Sequence, residues 1–240
     1  MNRVRITRSI IPNLFTALNM FSGFLSIINA SQGQYHYAAW LIIIAAIFDA
    51  LDGAVARLTK SSSELGVELD SLSDIVSFGA APAFLIYQIY LFNFDSLGVL
   101  LSSFIIIAGG FRLARFNVQL VGFNKDFFTG LPIPINAITI SSFILTYYDS
   151  REGFIKPYND FIIPLVIILS YLMVSKIRYD TIPKPTKEEI KSKPLQFIFI
   201  FIALILLVIT SGKALFFIFV FIILFCIFRH IFNYIIKRFR

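Results

Sequence analysis

The chain has 240 residues, 58% of them hydrophobic and only 15% charged, with a mean hydropathy of +0.81. Soluble domains carry about 25% charged residues, so these values exclude a core wrapped by water and point to a polytopic membrane protein. The net charge of +7 would invite nucleic acid if it were clustered, but its distribution follows the membrane loops, and no nucleic-acid partner is expected.

Apolar runs predict eight spanning helices, near 9–30, 35–58, 66–92, 97–118, 132–149, 159–177, 194–211 and 214–236, each close to the roughly 20 residues that a bilayer needs. The expected fold is an all-α membrane helical bundle, a six-helix unit followed by a helix pair. The first run is not read as a cleavable signal peptide, because Pro12, Asn13, Thr16 and Asn19 interrupt it and no small-residue cleavage site follows. With this topology the loops on one side hold eighteen of the 21 Lys and Arg, and the other side holds only Arg151, Lys156 and Lys213. The positive-inside rule then places both termini on the cytoplasmic side of the inner membrane. Cys226 is the single cysteine and has no intrachain disulfide partner.

The second and third spans carry the chemistry. Asp49 and Asp52 lie three apart, so both carboxylates share a helix face, which Gly53 and Ala56 continue. Asp70 and Asp74 lie four apart at the start of the third span, one turn after Gly66. A short connection, Leu58–Leu65, lets the two faces oppose each other around a cleft at the cytoplasmic boundary. A carboxylate at membrane depth costs about 2.5–3.5 kcal/mol, so four unpaired ones would cost on the order of 10 kcal/mol. Divalent cations offset that cost, and hard oxygen ligands select Mg²⁺ or Mn²⁺, with Ca²⁺ possible, over Zn²⁺. A two-metal site would suit a phosphodiester or pyrophosphate substrate, and a carboxylate less committed to metal would serve as a general base. A lone membrane aspartate is ordinarily a structural hydrogen-bonder, and a pair can form a cation-transport site. Two spaced pairs with glycines and a following Arg57 favour catalysis, with a divalent-cation transporter as the reading from a different class.

Written as a pattern, the stretch Asp49–Asp74 is D-x2-D-G-x2-A-R-x8-G-x3-D-x3-D. It resembles the signature of the CDP-alcohol phosphotransferases at every fixed position. Pro12-Asn13-Leu14-Phe15-Thr16, with Asn19 and Gly23, resembles their first helix. Arg112-Leu113-Ala114-Arg115-Phe116-Asn117 and Phe128-Thr129-Gly130-Leu131-Pro132-Ile133-Pro134 resemble the membrane-integral phosphatidylserine synthases of that superfamily. The likeness covers about residues 8–175. It implies that Asp49, Asp52 and Asp70 bind metal, with Asp74 completing the site and acting as base. It implies a CDP-lipid pocket of Asn13, Thr16, Asp52, Gly53, Ala56, Arg57, Gly66 and Asp70. The implied reaction is attack by an alcohol on the lipid-side phosphate of CDP-diacylglycerol, with release of CMP. A homodimer is implied as well. The residues fit direct displacement: no Ser-His or Cys-His pair is evident, His36 and His230 lie far from the cluster in sequence, and paired H-x-K motifs are absent.

The acceptor expected from the same resemblance is L-serine, which needs a cation for its carboxylate and acceptors for its ammonium. Arg112 and Arg115, one turn apart, offer guanidinium forks suited to a carboxylate. Asn117 and Asn136 add polar contacts. A phosphorylated acceptor would also favour these arginines, so a phosphatidylglycerophosphate or archaetidylserine synthase is the alternative within the class. Residues 1–178 are expected to form the catalytic unit. Residues 179–240 are expected to form a cytoplasmic loop, with a short capped helix at Thr186–Lys193, and an accessory helix pair. Tyr35, Tyr37, Trp40, Tyr147 and Tyr148 near span ends fit interfacial anchoring.

Overall fold

The computed structural model describes residues 10–59, 63–120, 127–180 and 209–238, together with 194, 198, 202, 203, 205 and 206. The polypeptide enters as two long antiparallel helices, α1 (Ile10–Ser31) and α2 (Tyr35–Thr59), joined by a turn in which Gly33 takes φ +76°. Ser63 caps α3 (Glu64–Asp74) by accepting a hydrogen bond from the Gly66 amide at 3.0 Å. The third predicted span is not one continuous α-helix. After Asp74 the chain widens into a π-helical segment, Ile75–Ala80, before α4 (Ala81–Ile89) resumes. The physical cause is legible in Pro82, which has no amide hydrogen to give and whose ring would crowd the carbonyl four residues back. A wider turn relieves that crowding, and such bulges concentrate at functional sites.

A 3₁₀ turn (Leu91–Phe94) leads into α5 (Asp95–Leu120), then β1 (Phe127–Thr129), α6 (Ile133–Tyr147), a small ribbon of β2 (Tyr148–Asp149) and β3 (Gly153–Phe154), and α7 (Ile162–Val174). Strand β4 (Arg178–Asp180) pairs antiparallel with β1, and α8 (Lys213–Arg238) closes the described chain. Among the described residues five helical stretches are long and apolar enough to cross a membrane, and Ile133–Tyr147 and Tyr158–Val174 are shorter apolar helices. The predicted fifth and sixth spans correspond to these two. The predicted seventh span and the Thr186–Lys193 helix fall largely or wholly outside the described residues.

The bundle interior mixes aliphatic side chains such as Ile42, Phe78, Leu85 and Ile140 with fully buried Asn19, Ser26, Ser73, Ser77, Asn136 and Thr139. Large apolar residues meanwhile cover the outer faces, among them Phe21, Phe111, Tyr171 and Phe228. This arrangement is that of a protein solvated by acyl chains. Helix α8 lies against α6: Phe216 packs edge-on to Phe143 and Tyr147 at 5.3 and 5.6 Å, and the Thr146 hydroxyl donates to the Lys213 carbonyl at 3.2 Å. Tyr35, Tyr147, Tyr148 and Tyr158 form an aromatic cluster at the end of the bundle that carries Arg151 and Lys156.

Candidate active site

Helix α1 is the scaffold on which the two carboxylate-bearing helices are registered. The Thr16 hydroxyl lies 3.0 Å from Asp52 Oδ2 on α2, and Asn19 Nδ2 lies 3.4 Å from Asp74 Oδ1 on α3. Its backbone is held in turn, because Ser73 Oγ donates to the Thr16 carbonyl at 3.0 Å and Ser77 Oγ to the Asn19 carbonyl at 2.9 Å. Gly23 permits this closeness, since a Cβ there would collide with Ser77. Thr16, Asn19 and Gly23 recur at helical spacing, which places them on one stripe of α1. The sequence pattern alone assigns no role to Asn19, Ser73 or Ser77; the signal that marks them is this polar stripe facing a serine pair spaced by four.

Asp49, Asp70 and Asp74 converge: each offers a carboxylate oxygen, and these oxygens lie within 4.8 Å of one another. Asp52 stands beside the trio rather than in it, turned toward Thr16 and close enough to Asp70 to feel its charge. The expected ring of four carboxylates is therefore a group of three with a fourth at its edge, because Thr16 draws Asp52 toward α1. Two ionised carboxylates 4.8 Å apart repel by roughly 3 kcal/mol at an effective dielectric near 20. Arg112, buried on α5, acts electrostatically on Asp49 and Asp74, and Arg57 on Asp52. Four carboxylates against two guanidinium groups leave a net charge of −2 when all are ionised. One oxygen of Asp70 is also buried without a hydrogen-bond partner. Hard oxygen donors, an unsatisfied acceptor and a doubly negative surplus fit a divalent cation.

An open cleft of about 450 Å³, counted to its mouth, adjoins the trio. Asn13, Thr16, Asp52, Gly53, Ala56, Gly66 and Asp70 all line it, joined by Pro12, Ser63 and Val67. Of the residues expected around a CDP group only Arg57 is not in the wall, and its guanidinium lies over Gly53, 3.3 Å from where a Cβ would stand. The small residues on α2 and α3 thus keep the cleft open between two helices whose larger neighbours would fill it.

The four residues expected at the acceptor separate. Arg112 is buried beside the carboxylates, with its guanidinium 5.7 Å from the Phe116 ring centre. Arg115 is committed elsewhere: Nη1 donates to the Val174 carbonyl at 3.0 Å, and Nη2 to the carbonyls of Thr129, Met173 and Ser175 at 2.7, 3.1 and 3.4 Å. That geometry makes it a clamp on the carboxyl end of α7, where exposed carbonyls attract a cation, and the structure does not bring it together with the aspartate trio as it does Arg112. Arg115 also crowds Gly130, which takes φ +85° with no room for a Cβ against Met173. Asn117 Nδ2 donates to Ser71 Oγ at 2.9 Å, tying α5 to α3. Asn136 is fully buried at the start of α6, with both ends of its amide unpartnered. One Ser-His contact does form, Ser150 Oγ to His36 Nδ1 at 3.2 Å, but His36 lies about 20 Å along α2 from Asp49. It therefore offers nothing to this site.

The fold is that of a helical membrane protein, and its site sets clustered carboxylates beside an open cleft. The chain belongs to the CDP-alcohol phosphatidyltransferase family, whose model matches residues 9–172. Members of that family depend on divalent metal. The chain is 36% identical to a CDP-diacylglycerol–serine O-phosphatidyltransferase of Helicobacter pylori, across 92% of this chain and 91% of that one. It is 44% identical to an archaetidylserine synthase of Methanothermobacter thermautotrophicus, across 75% and 73% of the two chains. With a CDP-diacylglycerol–serine O-phosphatidyltransferase of Methanocaldococcus jannaschii it shares 39% identity, across 72% and 75%.

Proposed function

We propose that this protein transfers the phosphatidyl group of CDP-diacylglycerol to the hydroxyl of L-serine, giving phosphatidylserine and CMP. The observation that carries the reading is the convergence of Asp49, Asp70 and Asp74 beside a buried Arg112 and next to a cleft built from the family's motif. Asn13, Thr16, Gly53, Ala56 and Gly66 line the nucleotide end of the cleft, and Arg57 faces the diphosphate. Asp49, Asp70 and Asp74, with Asp52 at their edge, would hold Mg²⁺ or Mn²⁺. When bound, the metal supplies Lewis-acid stabilisation of charge on the diphosphate oxygens.

Asp74 takes the proton of the serine hydroxyl as that oxygen forms its bond to the lipid-side phosphorus. The bond from that phosphorus to the bridging oxygen breaks, and the electron pair leaves with CMP. Asn19 holds the Asp74 carboxylate in place for this step, and Arg112 and Asn136 receive serine. The cleft opens to the cytoplasmic leaflet of the inner membrane, with both chain termini on that side; the 18-to-3 partition of Lys and Arg supports this orientation. Catalysis belongs to residues 1–178, with 179–240 as accessory, and two copies associate as a homodimer. Cross-linking in the membrane followed by mass analysis tests the last point.

The deciding experiment gives the purified protein CDP-diacylglycerol, Mg²⁺ or Mn²⁺ and labelled L-serine. CMP should appear only with serine, alongside labelled phosphatidylserine. Release of CMP with glycerol 3-phosphate and not with serine would move the acceptor while keeping the reaction class. Divalent-ion uptake into proteoliposomes without CMP formation would favour transport. The archaeal relative motivates a second reading that differs in the donor alone, and a CDP-linked ether lipid offered in parallel separates ether from ester tails.

A further inference from the structure

Asn19 is fully buried, and only half of its amide is used. Its Nδ2 reaches Asp74 Oδ1 at 3.4 Å, while its Oδ1 has no hydrogen-bond partner. The amide cannot be turned round to cure this, because the carbonyl oxygen would then face a carboxylate. The backbone at this point is fixed as well: the Asn19 main-chain carbonyl accepts from Ser77 Oγ, and Gly23, one turn on, is pressed against the same serine. A buried acceptor left unmade costs free energy; Asn19 does not line the cleft itself but touches Asp74 of the carboxylate trio, so a ligand drawn in against Asp74 brings a donor to it. Asp74 is also within electrostatic reach of Arg112, so the base is flanked by a fixed cation and by a fixed, unsatisfied acceptor. An amino acid with a β-hydroxyl needs this set: a guanidinium for the carboxylate, a base for the hydroxyl and an acceptor for the ammonium.

We propose that Asn19 is a specificity-determining residue of the acceptor subsite, holding Asp74 through Nδ2 and accepting a hydrogen bond from the acceptor's ammonium through Oδ1. The inference rests on the serine reading above and deepens it. Its test compares L-serine with 3-hydroxypropanoate, which keeps the hydroxyl and carboxylate and replaces the ammonium with hydrogen. The KM for serine and the competition constant of 3-hydroxypropanoate are measured for the wild type, Asn19→Ala and Asn19→Ser. A lost charge-assisted hydrogen bond should weaken serine about tenfold or more and leave 3-hydroxypropanoate within about twofold, so the ratio of the two constants collapses. Loss of Asp74 positioning alone lowers kcat for any acceptor and leaves the ratio unchanged, and that result overturns the proposal. If the variants turn over too slowly, calorimetric binding of serine to a monodisperse Asn19→Ser protein decides: unchanged affinity refutes the contact, and weakened affinity with CDP-lipid binding retained supports it. A wild type that makes no CMP with serine defeats the underlying reading before Asn19 is tested.

Discussion

Replacing Gly23 with alanine probes the device that brings α1 to the π-helical segment. A Cβ at this position would stand 2.5 Å from Ser77 Cα and 2.8 Å from Ser77 Cβ, where ordinary contact begins at 3.4 Å. The obstructing atoms include backbone, so a rotamer change cannot absorb the added methyl, and the two elements must part by about an ångström in a close-packed interior. Overpacking of this kind costs about 1–3 kcal/mol. At about 2–4 °C per kcal/mol for a chain of this size, thermal unfolding in detergent should fall by several degrees. The activity loss should be larger in proportion. The Ser77 bond to the Asn19 carbonyl and the Asn19 bond to Asp74 span this contact, and an ångström of misplacement at a reacting group costs about 100-fold. Gly110→Ala is the control, because its Cβ would meet only Ile75 Cδ1 at 3.8 Å. Release of CMP from CDP-diacylglycerol and serine, read beside the melting temperature, tests both. A Gly23→Ala protein with the melting temperature and rate of the Gly110→Ala protein would show that the close approach of α1 to Ser77 does not set the site.

Asp74→Asn should lower turnover by about 10²–10⁴-fold, the range for a lost general base, with CDP-lipid binding by equilibrium methods largely retained. Arg112→Ala should raise the KM for serine more than that for the CDP-lipid; a loss confined to CDP-lipid binding would move Arg112 out of the acceptor pocket. Arg115→Lys keeps the charge and loses the fork that spans four carbonyls, so it should unfold several degrees lower while the KM for serine stays near wild type. Chelation should abolish CMP release, and Mg²⁺ or Mn²⁺ should restore it without refolding; activity that persists through chelation would refute the metal assignment of the aspartate trio.

The amino-acid sequence determined the membrane class, the course of the seven predicted spans that fall on described helices and the chemistry-bearing motif, because all of these are written in local terms. A run of about 20 apolar residues specifies a span by itself, and spacings of three and four set Asp49 with Asp52 and Asp70 with Asp74 on shared helix faces whatever the bundle around them. Pro82 even carried the signal for the break in the third span, although apolarity alone reads straight through it. What tertiary structure decided was which polar groups are already spent. Arg112 and Arg115 look equivalent one turn apart, yet one is buried beside the carboxylates and the other is consumed by the carbonyls closing α7. Asp52 belongs to the motif as fully as Asp49, yet Thr16 from a different helix draws it to the rim. Asn19 is marked in the sequence only as a polar residue of the first helix, and it acquires a role because α3 brings Asp74 to it. The contacts of Thr16 with Asp52, of Asn19 with Asp74 and of Arg115 with the end of α7 join residues 36 to 60 positions apart, and a helical periodicity carries no information about partners at that range.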